Sequence, residues 1–436
     1  MARVRHWLAL SAALLALVSG LEQATTQDCD NDGKIILTKG SEDDEAIVYG
    51  AACNSTTLTV DSKNKLTASG LKIQEVKSIP NDVAELNLAL NSLSAIPKFS
   101  DATSLTKLTL TSNLFTSFSN LVVPSTLKTL DLSWNQIDSF TGMSLPSTLT
   151  ELYVGGNKFT SLSGATFPNT LKLLYVHNLP LTTLSDTKLP DSIAYLSLVE
   201  SSLTSLDDVD FPANLTSLDV SQNSLTTIPS TLPVGMQTLI AVGNQMTELT
   251  KTVFPRTITS LNFSGNAITK VVGVTFPWSL ASLDLGSKQI TEFEVSRSDY
   301  TTISRLKTFN ANIKSASSCS TSGADQSTLA GSTVCVLTDD AFNKLYGSSS
   351  SAASSGGSSA STNGNSTSDD KSSDMSVILI VVICVAAVLA VALAVVGVRT
   401  YRMRMNKDMT LADTGFFANH TQMGSTGPND GTLAAG

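Results

Sequence analysis

Tyr153 and Tyr175, 22 residues apart, with Tyr195, Trp134 and His177 near them, are the side chains in this 436-residue chain most suited to chemistry. Asp131, Glu151, Glu200 and Asp219 surround them. Flat apolar rings rimmed by carboxylates are suited to recognition, by ring contact and hydrogen bonding, and not to bond-making. The plainer alternative is that tyrosines simply suit exposed strands. Catalysis finds little support. His177 is the only histidine between residues 21 and 398, so no histidine-based triad, zinc cluster or paired metal ligand can be assembled there. No GxGxxG, Walker or kinase signature occurs. We therefore expect no enzyme activity, no metal and no cofactor. The run from Asp28 to Asp32 followed by Gly33 copies the first half of a calcium loop, but its closing acid position is Lys39; an ordinary acidic turn accounts for it as well.

These residues must be positioned by something that repeats. The pattern LxxLxLxxNxLxxL recurs with its asparagine position at Asn91, Asn113, Asn135, Asn157, Leu179, Ser201, Asn223, Asn244, Asn266 and Lys288, with one step of 21 residues and otherwise steps of 22. A second mark stands eleven residues earlier, at Pro80 and then from Pro124 through Pro146, Pro168, Pro190, Pro212, Pro233, Pro255 and Pro277. Proline lacks an amide hydrogen and suits the convex, extended side of a repeat. Repeats of this form resemble leucine-rich repeats, and the resemblance implies an α/β-type repeat solenoid, a horseshoe with a parallel β-sheet on its concave face. A buried asparagine amide can donate to turn carbonyls, which Leu179 cannot do and Ser201 can do only in part, while Lys288 must point outward. Local irregularity is expected at those three units. On this scaffold Trp134, Tyr153, Tyr175, His177 and Tyr195 take outward positions on four consecutive strands, one patch about 15 Å across at roughly 4.8 Å per strand.

The ends of the chain add a membrane. Residues 1–20 carry Arg3 and Arg5, then an apolar run, then small residues, as a secretory signal peptide does. Residues 377–398 are uncharged and, at 1.5 Å per residue, about 33 Å long as a helix, enough to span a bilayer. Arg399, Arg402, Arg404 and Lys407 follow it, so the positive-inside tendency puts the repeats outside. A GPI signal would end in its apolar tail, whereas 38 residues follow Val398 here. Of 28 basic and 37 acidic residues, two basic ones lie in the leader and four basic and three acidic ones follow Val398, leaving 22 and 34 between, a net of −12. Nucleic acid is a poor partner for such a segment. The expected organisation is 1–20 signal peptide, 21–75 N-terminal cap, 76–316 repeats, 317–346 C-terminal cap, 347–375 Ser/Gly-rich stalk, 376–398 transmembrane helix and 399–436 cytosolic tail. Within the last two, Cys384 reads as a small apolar residue, Ala386, Ala390 and Ala394 as a small-residue spacing that permits helix association, and Phe416-Phe417 as an apolar spot or an adaptor signal.

Four cysteines bracket the repeats, Cys29 with Cys53 and Cys319 with Cys335. Of the three connectivities, only local pairing avoids linking opposite ends of a long arc. Glycan acceptors are Asn54, Asn214, Asn262 and Asn365. Leader, cysteine-capped repeats, stalk and single span together resemble leucine-rich repeat receptor-like membrane proteins. The stretch Leu145-Pro146-Ser147-Thr148-Leu149-Thr150-Glu151-Leu152-Tyr153-Val154-Gly155-Gly156-Asn157 also resembles ectodomains of receptor kinases of the tyrosine-kinase-like group. The resemblance covers roughly residues 1 to 400; the kinase domain is absent, so no catalytic residue carries over. It implies a plasma-membrane protein binding an extracellular protein, peptide or glycan on its concave face, with a membrane co-receptor or cytosolic kinase as signalling partner. An adhesion or wall-associated structural protein and a truncated form of a receptor kinase are the alternatives.

Overall fold

One leucine in each repeat anchors a three-residue strand, because the residues on either side of it face outward while it points into the core. Leu108, Leu130, Leu152, Leu174, Leu196, Leu218, Leu239 and Leu261 are all essentially fully buried. The computed structural model describes residues 33–52, 54–95, 102–119, 121–229 and 231–347. Their strands Thr129–Asp131, Glu151–Tyr153, Leu173–Tyr175, Tyr195–Ser197 and Ser217–Asp219 pair in parallel with leucine opposite leucine. The resulting sheet has twelve strands, beginning at Lys65–Thr67, one strand before the first asparagine repeat, and ending at Thr308–Ile313. A solenoid with a parallel sheet of leucine-rich repeat type is therefore what this sequence builds. Among the described residues no helix precedes Arg297; the helices are Arg297–Ser304, on the return path between the strands Ser282–Ile290 and Thr308–Ile313, and Asp339–Tyr346. In the central repeats the recurring proline and a return path that must accommodate Phe115, Phe140 and Phe159 leave no room for a helix on the convex side. There Phe140 and Phe159 stack at 4.2 Å between centroids.

The asparagine ladder holds neighbouring repeats together. Asn135 Nδ2 donates to the carbonyls of Leu132 at 2.9 Å and Leu110 at 3.0 Å, in its own repeat and the preceding one, and its Oδ1 accepts the amide of Phe115. Asn157 does the same for Val154, Leu132 and Ile137. Each carbonyl such as that of Leu132 thus takes two asparagines. This redundancy overturns part of the expected irregularity. At Leu179 the strand register continues unbroken, because Asn157 still serves Val154 and the Ser201 hydroxyl serves Val176. Only at Lys288 is the pattern broken: the residue is exposed, and the pairing of Ser282–Ile290 with Thr308–Ile313 shifts register between Asp284 and Gln289.

The prolines do more than tolerate the convex side. Each begins a turn into the next strand, its carbonyl accepting the amide three residues on, as Pro146 does from Leu149 and Pro168 from Leu171, both at 3.0 Å. Two residues after the proline a hydroxyl reaches back one repeat: Thr148 to the carbonyls of Ser125 and Leu127, Thr170 to Ser147 and Leu149, and Ser279 to Arg256 and Ile258.

The ends are closed by pairing. At the N-terminal end Ile36–Lys39, Glu45–Tyr49 and Ser55–Thr59 form an antiparallel sheet, joined in parallel by Glu75–Val76. At the C-terminal end the last repeats add a second sheet, Glu248–Thr250, Lys270–Val272 and Glu292–Ser296, continued by Ser332–Leu337 and Asp325–Leu329. A disulfide joins Cys319 to Cys335 with Cα atoms 5.6 Å apart. The leader, Cys29, Cys53, the Asp28–Asp32 run, the stalk, the apolar stretch 376–398, the tail and Asn365 lie outside the described residues. Among the described residues no helix is long and apolar enough to cross a membrane.

Replacing Asn135 by alanine leaves the buried Phe115 amide without its acceptor, at a cost of about 1–3 kcal/mol. The expected outcome is faster amide exchange at Phe115 and its neighbours with little change in the terminal repeats, because a repeat array loosens locally. Uniform loss of protection along the whole chain would contradict it.

Candidate functional site

The tyrosine patch is assembled by strand register. Asp131, Tyr153, Tyr175, Ser197 and Asp219 stand opposite one another in a single row across five strands. A second row holds Thr129, Glu151, Leu173, Tyr195 and Ser217. Strand spacing in a sheet is close to the stacking distance of aromatic rings, so rings in one row must stack. Tyr153 and Tyr175 do so at 4.4 Å and 10°, and Tyr195 leans on Tyr175 from the second row at 5.0 Å and 38°. The sequence placed these rings on an open surface, and that expectation needs correcting. Tyr175 is only 5% exposed and Tyr195 4%, each covered by its neighbours; Tyr153 at the end of the stack remains half-buried.

Trp134 and His177 lie just beyond the strands, on the turns. Every regular repeat places the residue before its asparagine in the left-handed region, at φ 58° for Leu90, 58° for Trp134, 66° for Gly156 and 53° for Glu200. That conformation costs a non-glycine residue on the order of 1–2 kcal/mol, and the asparagine ladder holds it in place. The repeat between Trp134 and His177 has Gly155-Gly156 at the matching turn. A Cβ on Gly155 would lie 2.5 Å from the His177 ring, and one on Gly156 would lie 2.6 Å from the Trp134 ring. The two rings therefore converge over a glycine notch and meet edge to face at 6.3 Å.

The electrostatics are anionic. Burial first, then Glu151, Tyr175 and Asp131, pushes the Tyr153 phenol far above its ordinary value, so it stays neutral and donates, its hydroxyl 3.5 Å from Glu151 Oε2. Burial pulls the His177 imidazole below its usual value, against the opposing pull of Asp131 and Glu200, and its Nδ1 has no hydrogen-bond partner. Asn178 Nδ2 donates to Glu200 at 2.6 Å, and Thr129 Oγ1 to Glu151. Burial raises the Asp219 carboxyl, with Ser221 bonds opposing it. Two of the carboxylates also serve the fold: Asp131 Oδ1 accepts the Ser133 amide and Asp219 Oδ1 the Ser221 amide and hydroxyl, capping the exit of each strand. Asn262 does the same for Ser264 and is half-buried, whereas Asn54 and Asn214 are exposed. Among the described residues no group of three or more histidine, cysteine or acidic residues is placed to hold a metal ion.

Two things here were missed by reading the sequence alone. One is the glycine notch, legible as Gly155-Gly156 where neighbouring repeats carry larger residues. The other is an exposed apolar edge on the far side of the C-terminal repeats, where Val234, Val253 and Trp278 are 85%, 66% and 74% exposed. The position after the repeat proline reads Ser125, Ser147, Asn169 and Asp191 in earlier units and becomes Val234, Arg256 and Trp278 in these.

Leucine-rich repeat family profiles match residues 123–139 and 214–234, so the chain carries leucine-rich repeats. No curated protein matches it significantly in sequence. Among solved structures it is similar to YopM from Yersinia enterocolitica WA-314, at 27% identity over 57% of this chain and 51% of that one, with a TM-score of 0.44. The chain thus spans about half the length of that YopM. It is also similar to an internalin, inlF, from Listeria monocytogenes (18% identity, 60% of this chain and 85% of that one, TM-score 0.34) and to the leucine-rich repeat domain of APL1B (18% identity, 63% and 94%, TM-score 0.38).

His177 makes stability depend on pH in a definite direction. In the unfolded chain it titrates near its ordinary value of about 6.5, and in the fold it titrates lower. Between the two the unfolded state binds the extra proton, so stability is lost as pH falls below about 6.5 toward the folded value. Asp219 and Asp299, both raised by burial, act oppositely and gain stability as pH falls. Melting curves of the full chain should shift downward between pH 7.5 and 5.5, and His177→Gln should flatten that shift. Separately, Gly155→Ala should destabilise the chain and displace the His177 ring, visible as a changed imidazole resonance; an unaltered resonance would mean the notch is not needed.

Proposed function

We propose that the chain is a cell-surface leucine-rich repeat protein that binds a protein, peptide or glycan ligand on its concave face, with Tyr153, Trp134 and His177 in contact and Tyr175 and Tyr195 supporting them. The single observation that carries this reading is the aromatic set itself. Tyr153 and Tyr175 fill two adjacent outward positions in one row, Trp134 occupies a strained left-handed position, and the repeat between Trp134 and His177 is reduced to glycines so that the two rings can meet. None of these rings fills the leucine core, and clustered, rigid, amphipathic rings are the usual anchors of recognition surfaces. The leader at 1–20 and the apolar stretch at 376–398 support a secreted, membrane-anchored ectodomain. Signalling then needs a co-receptor or a cytosolic kinase as partner.

Tyr153→Ala separates contact from packing, because Tyr153 ends the stack and is the least covered of the three tyrosines. It should lower affinity for a ligand returned by an extracellular-protein screen by about 2 kcal/mol or more, roughly thirtyfold, with melting nearly unchanged. Tyr175→Ala should lower both, since its ring is packed on two sides. Unchanged binding in both, with binding abolished by Trp278→Ala, would move the ligand to the apolar edge and overturn the concave reading.

A further inference from the structure

The concave aromatic site, taken as the binding surface, also has a definite charge preference. On the strands and exit turns from Thr129 to Gly243 the outward positions hold four carboxylates, Asp131, Glu151, Glu200 and Asp219, and no lysine or arginine; Lys128 and Lys172 stand at the leading edge just before the strands. The ion pairs among the described residues involve neither Asp131, Glu151 nor Asp219. Tyr153 is flanked in its row by Tyr175 on one side, against which it stacks, and by Asp131 on the other. A ring face next to a carboxylate attracts a cation twice, through the ring quadrupole and through a charge-assisted hydrogen bond. A planar guanidinium fits both demands at once, stacking on the ring while its edge donates to the carboxylate.

We propose that this concave face recognises an arginine-bearing protein segment, with one guanidinium seated between the outer face of Tyr153 and the carboxylate of Asp131. The Oδ1 atom of Asp131 is committed to the Ser133 amide at 2.9 Å, and Oδ2 is the oxygen that takes the guanidinium. Glu151, held by Thr129, stands two residues before Tyr153 in the same strand and adds to the field. Asp219 lies four strands from Asp131 in the same row, about 19 Å at 4.8 Å per strand. An extended segment of about six residues, at roughly 3.3 Å each, covers that span, with apolar residues over the tyrosine stack, while Asp219, only 7% exposed, stays with its Ser221 bonds. Neutral glycans and acidic segments lack the group this site would pair.

The probe is an acetylated, amidated tetra-arginine peptide, compared with the same peptide carrying citrulline, which keeps the shape and loses the charge. The chain's three tryptophans are Trp7, Trp134 and Trp278, so full-length protein with Trp7→Phe and Trp278→Phe reports from Trp134 alone. The expected result is saturable change in Trp134 fluorescence with the arginine peptide, at least about tenfold tighter than with citrulline, as a hydrogen bond to a charged group of about 1.5 kcal/mol or more requires. Affinity should fall with salt and fall about tenfold in Asp131→Asn, while the exposed Asp207→Asn, outside the row, leaves it unchanged. Equal loss in the two variants would show unspecific charge attraction and overturn the proposal. Equal binding of both peptides, lost in Tyr153→Leu, would keep the concave site and overturn its cation preference. Binding of neither peptide also overturns the preference, and binding indifferent to Asp131, Tyr153 and Trp134 substitutions overturns this inference and the concave reading together.

Discussion

The shared carbonyl at the centre of each repeat is the interaction on which the rest of this solenoid depends. A strand of three residues has almost no pairing of its own, and a turn immediately after it leaves backbone carbonyls pointing into an apolar core. Burying one without a partner costs on the order of 1–3 kcal/mol, and every repeat would incur that cost. Asparagine removes it for two repeats at once, since the amide of Asn157 reaches both Val154 and Leu132 while Leu132 also receives Asn135. Neighbouring repeats are thus locked at a fixed offset before any side chain on the concave face is chosen. Double donation also explains why the ladder survives at Leu179: each affected carbonyl loses one of two donors and none is left without one.

That fixed offset is what makes the concave face a place where side chains act on one another. Residues in a row are held one strand apart, a distance that a pair of aromatic rings finds favourable and a pair of like charges does not. The row from Asp131 to Asp219 therefore alternates sensibly, with carboxylates at its ends and stacked tyrosines between. The same ladder forces a left-handed residue before each asparagine and so throws Trp134 out over the next turn, where Gly156 makes space for it. Core, turn strain and surface patch are consequences of one hydrogen-bond pattern.

How much of this was legible depends on whether a feature is periodic. Leucines, asparagines and prolines recur at constant spacing, and their strands, register and sheet follow directly from it. The hydroxyl ladder of Thr148, Thr170 and Ser279 was equally periodic, two residues past each proline, but serine and threonine are so abundant in this chain that the signal is lost among them. Burial of Tyr175 and Tyr195 could not be read from alternation, because alternation assigns a face and says nothing of what neighbours on that face do to each other. The second sheet through Lys270–Val272 and Glu292–Ser296 was hidden for another reason: Val271, Val272 and Val295 look like ordinary core residues, and it is their pairing from repeat to repeat, extended by Ser332–Leu337, that makes the return side of these repeats into strands. At Lys288 the break in pattern did announce the break in structure, since the pairing with Thr308–Ile313 loses its register between Asp284 and Gln289.

The carboxylates of the concave face show why a structural role need not compete with the recognition role proposed for them. Asp131 and Asp219 each cap the exit of a strand, which accounts for an acid at that place without any ligand, and Asn262 and Asp284 do the same elsewhere in the sheet. A cap alone, however, explains only one oxygen, and asparagine performs it equally well. Glu151 caps nothing among the described residues; its side chain is drawn toward Thr129 and the Tyr153 hydroxyl, which concentrates negative charge beside the exposed end of the ring stack. The phenol there resists ionisation and the imidazole of His177 resists protonation, so near neutral pH neither changes the sign of the field. Rings fixed by strand register beside half-buried Asp131 and Glu151, with the one histidine of the patch kept neutral, form a patch that needs little reordering, and preorganisation of that kind is what would let a small surface bind a cation at little ordering cost.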